Sequence, residues 1–169
     1  MPRRDSSRRQ WPEISVSRSG VQTGVPSVRS LQRWAAAALG RRAGRSALSL
    51  MIVGPARSRA LNRDYRGKDQ PTNVLSFTMA GAIDAASGRR WLGDLVICPA
   101  VLRREAHEQR KPVRSHWLHL FVHGLLHLEG LDHERPADAR RMERREIRIL
   151  RSLGVANPYR SIHPVRSMH

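Results

Sequence analysis

The sequence predicts an α+β fold, with a small four-stranded mixed sheet packed with about five helices in a single domain. Three observations carry that expectation. A chain of 169 residues, 40% of them hydrophobic, is long enough to bury one real core. Short aliphatic runs bounded by Gly, Pro and Ser fall before Pro99 and read as strands. Beyond Pro99 the apolar residues recur at helical spacing instead. These patterns leave the order of the strands open.

Residues 11–18 (WPEISVSR) alternate, with Ile14 and Val16 on one side, and give the first strand. After a Gly/Ser/Pro loop, Ser27 is placed to cap a helix with Val28, Leu31, Trp34, Ala35 and Ala38 on one face, and Gly40 to stop it. ALSLMIVG (47–54) reads as a buried strand and ARSRALNRDY (56–65) as a short polar helix. NVLSFTM (73–79) and WLGDLVIC (91–98) are two more strands, with a loop between them. AVLRREAHEQR carries a helix to Lys111, where Pro112 breaks or restarts it. PVRSHWLHLFVHGLLHLEG (112–130) is the most apolar helix. Pro136 suits the first turn of a last helix through Leu153, with Ala139, Met142, Ile149, Leu150 and Leu153 inward. Arg140, Arg144, Arg148 and Arg151 line another face, which is either solvated or in contact with phosphate. Residues 1–10 are expected to be a basic disordered arm, 11–159 the folded domain and 160–169 a short tail.

The formal net charge is +17, and Lys68 and Lys111 are the only lysines among the 31 basic residues. A genome that favours arginine explains the choice of residue but not the surplus over acids. Such a surplus implies a polyanionic partner, because phosphate backbones reward clustered cations through counterion release. Cys98 is the only cysteine, so no intrachain disulfide forms and a reducing compartment is expected. No apolar run approaches the roughly 18 residues of a membrane span. The opening arginines are followed by no hydrophobic segment, so a secretory signal is not expected.

The segment HGLLHLEGLDH (123–133) has the spacing of the metzincin zinc-protease signature, with Gly124 where the glutamate base should be. Residues four apart share a helix face, so His123 and His127 point to one place. Gly130 ends the helix, and the returning chain brings His133 to the same point. Three imidazoles leave a fourth zinc position open, as catalysis needs, whereas a structural site closes with four ligands, usually including cysteine. Nickel or copper also suits three imidazoles. One zinc ion per chain is the expectation. His116 and His119 lie on the same stripe and either satisfy hydrogen bonds or orient the ligands. Without the glutamate, the proton shuttle of peptide cleavage is missing. Phosphodiester cleavage asks for a cation against the phosphate and a nucleophile in line. Glu129, Asp132 and Glu134 stand nearby and can cap a turn or orient a histidine.

RDYRGKDQPTN (63–73) gathers Arg63, Arg66 and Lys68 around a glycine turn. It is either a phosphate clamp, with arginine offering a bidentate fork, or an ordinary polar connection.

Taken together, HGLLHLEGLDH, LNRDYRGKDQPTNVLSF (61–77) and LGDLVIC (92–98) resemble the YbeY family of bacterial and organellar rRNA maturation endoribonucleases. The resemblance runs over roughly residues 11–159 and ends in NPY. Two departures stand out: Leu131 replaces a tyrosine of the family pattern, and Thr78 a proline. The resemblance implies a single α+β domain, zinc on His123, His127 and His133, and an important part for Arg66 in RNA cleavage. It also implies 16S rRNA 3′-end processing and small-subunit quality control, with rRNA, the small subunit and ribosomal proteins as partners in a bacterial cytoplasm.

The expected function is therefore that of a metal-dependent, single-strand-favouring endoribonuclease. The catalytic residues would be Arg66, at the scissile phosphate, and His127, through the ion it holds. Arg63 and Lys68 would bind substrate. A competing reading is a non-catalytic RNA- or ribosome-binding assembly factor with a structural metal, and a more distant one is a metalloprotease that uses another carboxylate.

Overall fold

The computed structural model describes residues 10–20, 23–79, 81–131 and 134–160. The expected basic arm and tail therefore lie almost wholly outside the described residues, as does His133. Four strands, β1 (Glu13–Ser19), β2 (Ser46–Val53), β3 (Val74–Thr78) and β4 (Arg90–Ile97), form one sheet in the order β1-β2-β4-β3. β1 and β4 both run parallel to β2, whereas β3 returns antiparallel along β4. The sheet is thus mixed, as expected, with β2 and β4 in its interior. β2 reads as a nearly continuous apolar run because both of its faces are covered.

Five α-helices surround it: α1 (Val28–Leu39), α2 (Pro55–Arg66), α3 (Pro99–Glu108), α4 (Val113–Leu128) and α5 (Pro136–Ser152). Ser27 caps α1 by accepting from the Ser30 amide at 3.2 Å, and Gly40 stops the helix at φ 58. The buried face of α1 is Leu31, Trp34, Ala35, Ala38 and Leu39. Val28 is 44% exposed, a departure from the expected inward set, because the first residue of the helix stands clear of the core. The sequence patterns also missed a six-residue 3₁₀ turn at Gly40–Arg45 that leads directly into β2.

α3 ends at Glu108 rather than Lys111. Arg110 takes a left-handed φ of 52, and the amide of Lys111 donates back to the Ala106 carbonyl at 2.9 Å. The loop between β3 and β4 is also tied down: Ile83 forms an antiparallel bridge with Arg90.

Alternate residues of the strands divide the core in two. The larger cluster joins Leu48, Leu50, Ile52, Leu95 and Ile97 to α1, α4 and α5 through Trp34, Trp117, Phe121 and Leu150. On the opposite face, Val53, Leu75, Val96 and Cys98 meet Leu61 of α2 and Val101 of α3. α4 is the hub, packed against β3, β4, α1, α3 and α5. A helix surrounded in this way must be apolar nearly all round, which is why its sequence is.

Candidate metal centre

The close packing of α4 explains Gly124. A Cβ added there would lie 2.8 Å from Leu95 Cδ2, 3.2 Å from Val74 Cγ2 and 3.3 Å from Ser76 Oγ. The residue after the first histidine therefore faces the sheet, and Ser76 Oγ donates to its carbonyl at 3.2 Å. A glutamate at this position would point into the core, away from the histidine face. The protease base has no place in this architecture.

The histidine face looks the other way. His123 and His127 bring their Nε2 atoms within 3.1 Å of each other. Two nitrogens bound to one tetrahedral zinc ion, each at about 2.0–2.1 Å, would stand roughly 3.3 Å apart. Two lone pairs converging at this distance repel unless a cation or a shared proton lies between them, so the donor set fits an ion. After α4 the chain reverses at Gly130, with φ 87, and the Leu131 amide donates to the Leu126 carbonyl at 3.1 Å. The reversal expected at this glycine is present. Leu131, where the family pattern has tyrosine, packs partly buried against the main core.

Behind the pair stands Glu146 of α5, with its side chain 1% exposed. Its Oε1 lies 3.0 Å from His123 Nδ1 and 3.2 Å from His119 Nε2, and its Oε2 accepts from the Tyr159 hydroxyl. Burial on its own pushes this carboxyl up. The contacts with His119 and His123, the His123 charge and the Tyr159 hydroxyl outweigh burial and hold it at about 2. An ionised carboxylate only accepts, so His123 carries its proton on Nδ1 and turns the Nε2 lone pair outward. This is the carboxylate–histidine pairing that fixes the tautomer of a metal ligand. Tyr159 is correspondingly hard to ionise: burial, then the hydrogen bond to Glu146 and that group's charge, push its hydroxyl up.

Two donor sets therefore share His123. One uses His119, His123 and Glu146, whose donor atoms lie within 4.8 Å of one another and could hold an ion. The other uses the converging Nε2 atoms of His123 and His127. The first is the more enclosed, and Glu146 there is already engaged by three side chains. The second opens onto a cleft of about 290 Å³ lined by Arg66, Asn73, Val74, Ser76, His119, His123, His127 and Tyr159.

Arg66 reaches that cleft because α2 ends beside it. Gly67 closes the helix at φ 69, and the following loop is fastened to α2 by side chains. Ser58 Oγ donates to the Thr72 carbonyl at 2.8 Å, Asn62 Nδ2 donates to that of Gln70 at 2.8 Å, and Arg59 grips Asp69 through two nitrogens at 2.8 Å. At the end of the loop Asn73 Nδ2 donates to both carboxylate oxygens of Glu105, at 3.1 and 3.0 Å. The segment is thus a braced turn that delivers one cation to the histidines. Arg63 and Lys68 do not line the cleft; both are exposed, and Arg63 lies 3.2 Å from Asp64.

The remaining sequence candidates separate in the same way. His116 is buried against Glu105 at 2.8 Å, so it satisfies a hydrogen bond away from the histidine pair. Glu129 neither caps nor orients a histidine: its side chain, 2% exposed, is held between Arg42 and Arg145. Glu134 is exposed, and Asp132 lies outside the described residues. The sequence reading missed Glu146 and Tyr159. A signal for Glu146 was present, since it falls four residues after Met142 on the inward stripe of α5, where an acid is out of place.

Fold and site together define a mixed α+β protein whose central buried helix presents paired histidine nitrogens to a cleft capped by an arginine. Residues 21–154 match the family described as Endoribonuclease YbeY. The chain belongs to that family. The Endoribonuclease YbeY of Alkalilimnicola ehrlichii is 50% identical over 82% of this chain and 85% of its own length. That of Methylococcus capsulatus is 49% identical over 90% and 98%, and that of Neisseria gonorrhoeae 41% identical over 90% and 91%. A Thermotoga maritima protein solved in solution has a similar fold, with a TM-score of 0.57 and 22% identity over 87% of this chain and 99% of that one.

Proposed function

We propose that this chain is a metal-dependent endoribonuclease that favours single-stranded RNA. We further propose that it acts in 16S rRNA 3′-end maturation and small-subunit quality control in a bacterial cytoplasm. The observation that carries the nuclease reading is the meeting of Arg66 with the His123–His127 pair in one cleft. Zinc is the proposed ion, one per chain, with His133 completing the ligand set. When bound, it would supply Lewis acidity at a phosphodiester. Glu146 holds His123 in the tautomer that leaves Nε2 free to bind. Arg66 binds the scissile phosphate and steadies the charge that develops on it, since a guanidinium matches phosphate geometry in a bidentate way. The names of the relatives support RNA as the substrate, and the +17 charge is suited to it. Ribosomal RNA, the small subunit and ribosomal proteins are the proposed partners. Arg63 and Lys68, exposed beside Arg66, are proposed to contact the strand outside the cleft.

The test is cleavage of a 16S rRNA 3′-end fragment by purified protein, with and without added zinc, beside an equally folded His127→Ala variant. Cutting by the wild type alone supports the reading. Equal cutting by both proteins, or RNA binding without cutting by either, would overturn it in favour of a binding factor with a structural ion.

A further inference from the structure

A second and larger cavity, of about 560 Å³, opens on the far side of His119. That volume lies within the roughly 300–1,000 Å³ range of pockets that take small molecules. Arg110, Lys111, Arg151 and Arg160 line it, together with Pro112, His116 and the segment Gly154–Pro158. No acidic residue is among its lining residues. Arg110, Arg151 and Arg160 are exposed and take part in none of the ion pairs found among the described residues.

The groove adjoins the histidine cleft. His119 lines both, and the chain from Asn157 to Arg160 runs between them, with Pro158 and Arg160 on the groove and Tyr159 on the cleft. Lys111 Nζ fastens this strap by donating to the Pro158 carbonyl at 3.2 Å, and Tyr159 fastens it from the other side through Glu146. Arg110 keeps a left-handed φ of 52 where glycine would be free of strain. Of the arginines along α5, Arg151 lines the groove, whereas Arg140 and Arg144 do not.

We propose that this groove seats the single-stranded RNA adjoining the scissile phosphate, with Arg110, Arg151 and Arg160 holding the phosphate of at least one flanking nucleotide. The word scissile rests on the nuclease reading above; the binding itself does not. An acidic protein segment would meet the same charge. The contiguity of groove and cleft favours a strand long enough to occupy both.

The test compares Arg110→Gln/Arg151→Gln with Arg140→Gln/Arg144→Gln, which removes the same charge from the outer face of α5. A labelled 2′-O-methyl phosphorothioate single strand is titrated by fluorescence anisotropy over a range of salt, alongside polyglutamate. Circular dichroism checks that each variant is folded. The groove variant is expected to raise Kd about tenfold or more, and to lower the slope of log K against log salt by about 1.4, or 0.7 for each of two lost phosphate contacts. The outer-face variant should stay within about threefold of the wild type. If both variants weaken RNA alike, or neither does, the proposal is overturned. It is also overturned if the groove variant loses polyglutamate but keeps RNA, because the occupant is then an acidic protein. Cleavage assays on the same proteins separate the two readings: a wild type that never cuts, with RNA binding lost only in the groove variant, sinks the nuclease and leaves the groove standing.

Discussion

Glu146 Oε1 lies 3.0 Å from His123 Nδ1, across the contact between α5 and α4. This bond decides which nitrogen of His123 faces the cleft. Second-shell partners of this kind typically contribute 10–100-fold to metal affinity. Glu146→Gln should therefore weaken zinc binding by about that factor, measured by competition with a chelating dye. An unchanged affinity would mean that Glu146 does not orient the ligand.

Gly124 is a packing position, with no space for a larger residue. Gly124→Ala would gain about 1 kcal/mol of helix propensity but crowd Leu95 and Val74, and overpacking of this kind costs about 1–3 kcal/mol. The expected net result is a loss of stability in urea unfolding. Gly124→Glu, which restores the protease signature, should leave little folded protein and no peptidase activity. A stable Gly124→Glu protein that cleaves casein would refute the packing account.

Arg66 and Arg63 lie three residues apart on α2, yet only Arg66 lines the cleft. Arg66→Ala should lower kcat by about 10²–10³-fold, the usual cost of removing one donor to a developing charge. Its zinc content should not change. Arg63→Ala should act mainly on KM and on salt dependence. Equal kcat losses in both variants would argue against a specific place for Arg66 at the phosphate.

The Glu105–His116 contact predicts a pH dependence of stability. Burial pushes the Glu105 carboxyl up, but His116 and Asn73 outweigh it and hold the group below its ordinary value. A carboxyl that ionises more easily when folded stabilises the fold above its unfolded value of about 4.3 and loses that contribution as pH falls through the folded value. Glu105→Gln should therefore be less stable than wild type near neutral pH, with the gap closing between about pH 5 and about pH 3. A constant gap across that range would show that the carboxylate charge is not what matters.

Removal of the metal distinguishes a catalytic ion from a structural one. The largest buried side chains, Trp34, Trp117 and Phe121, pack within the core cluster, which none of the cleft histidines joins. Chelated protein should keep its far-ultraviolet circular dichroism and melt cooperatively at a lower temperature, while losing cleavage. Collapse of the helical signal on chelation would favour the structural-metal reading.

The sequence by itself determined the local structure. Ser27 and Gly40 bound α1, Pro112 and Pro136 open α4 and α5, and the i, i+4 spacing puts His123 and His127 on one face. Each of these follows from backbone sterics or helix period and needs no distant partner. The tertiary structure decided what depends on contacts between elements far apart in the chain. It set the order of the strands, the brace that delivers Arg66 to the histidines, and the burial of Glu129 between two arginines. It also decided that the carboxylate behind His123 comes from α5, 23 residues away, and that a glutamate at position 124 would meet the sheet. Charge and periodicity report what a residue is and which face it shares. Only packing fixes what stands opposite that face, because the partner is chosen by the shape and burial of the whole core.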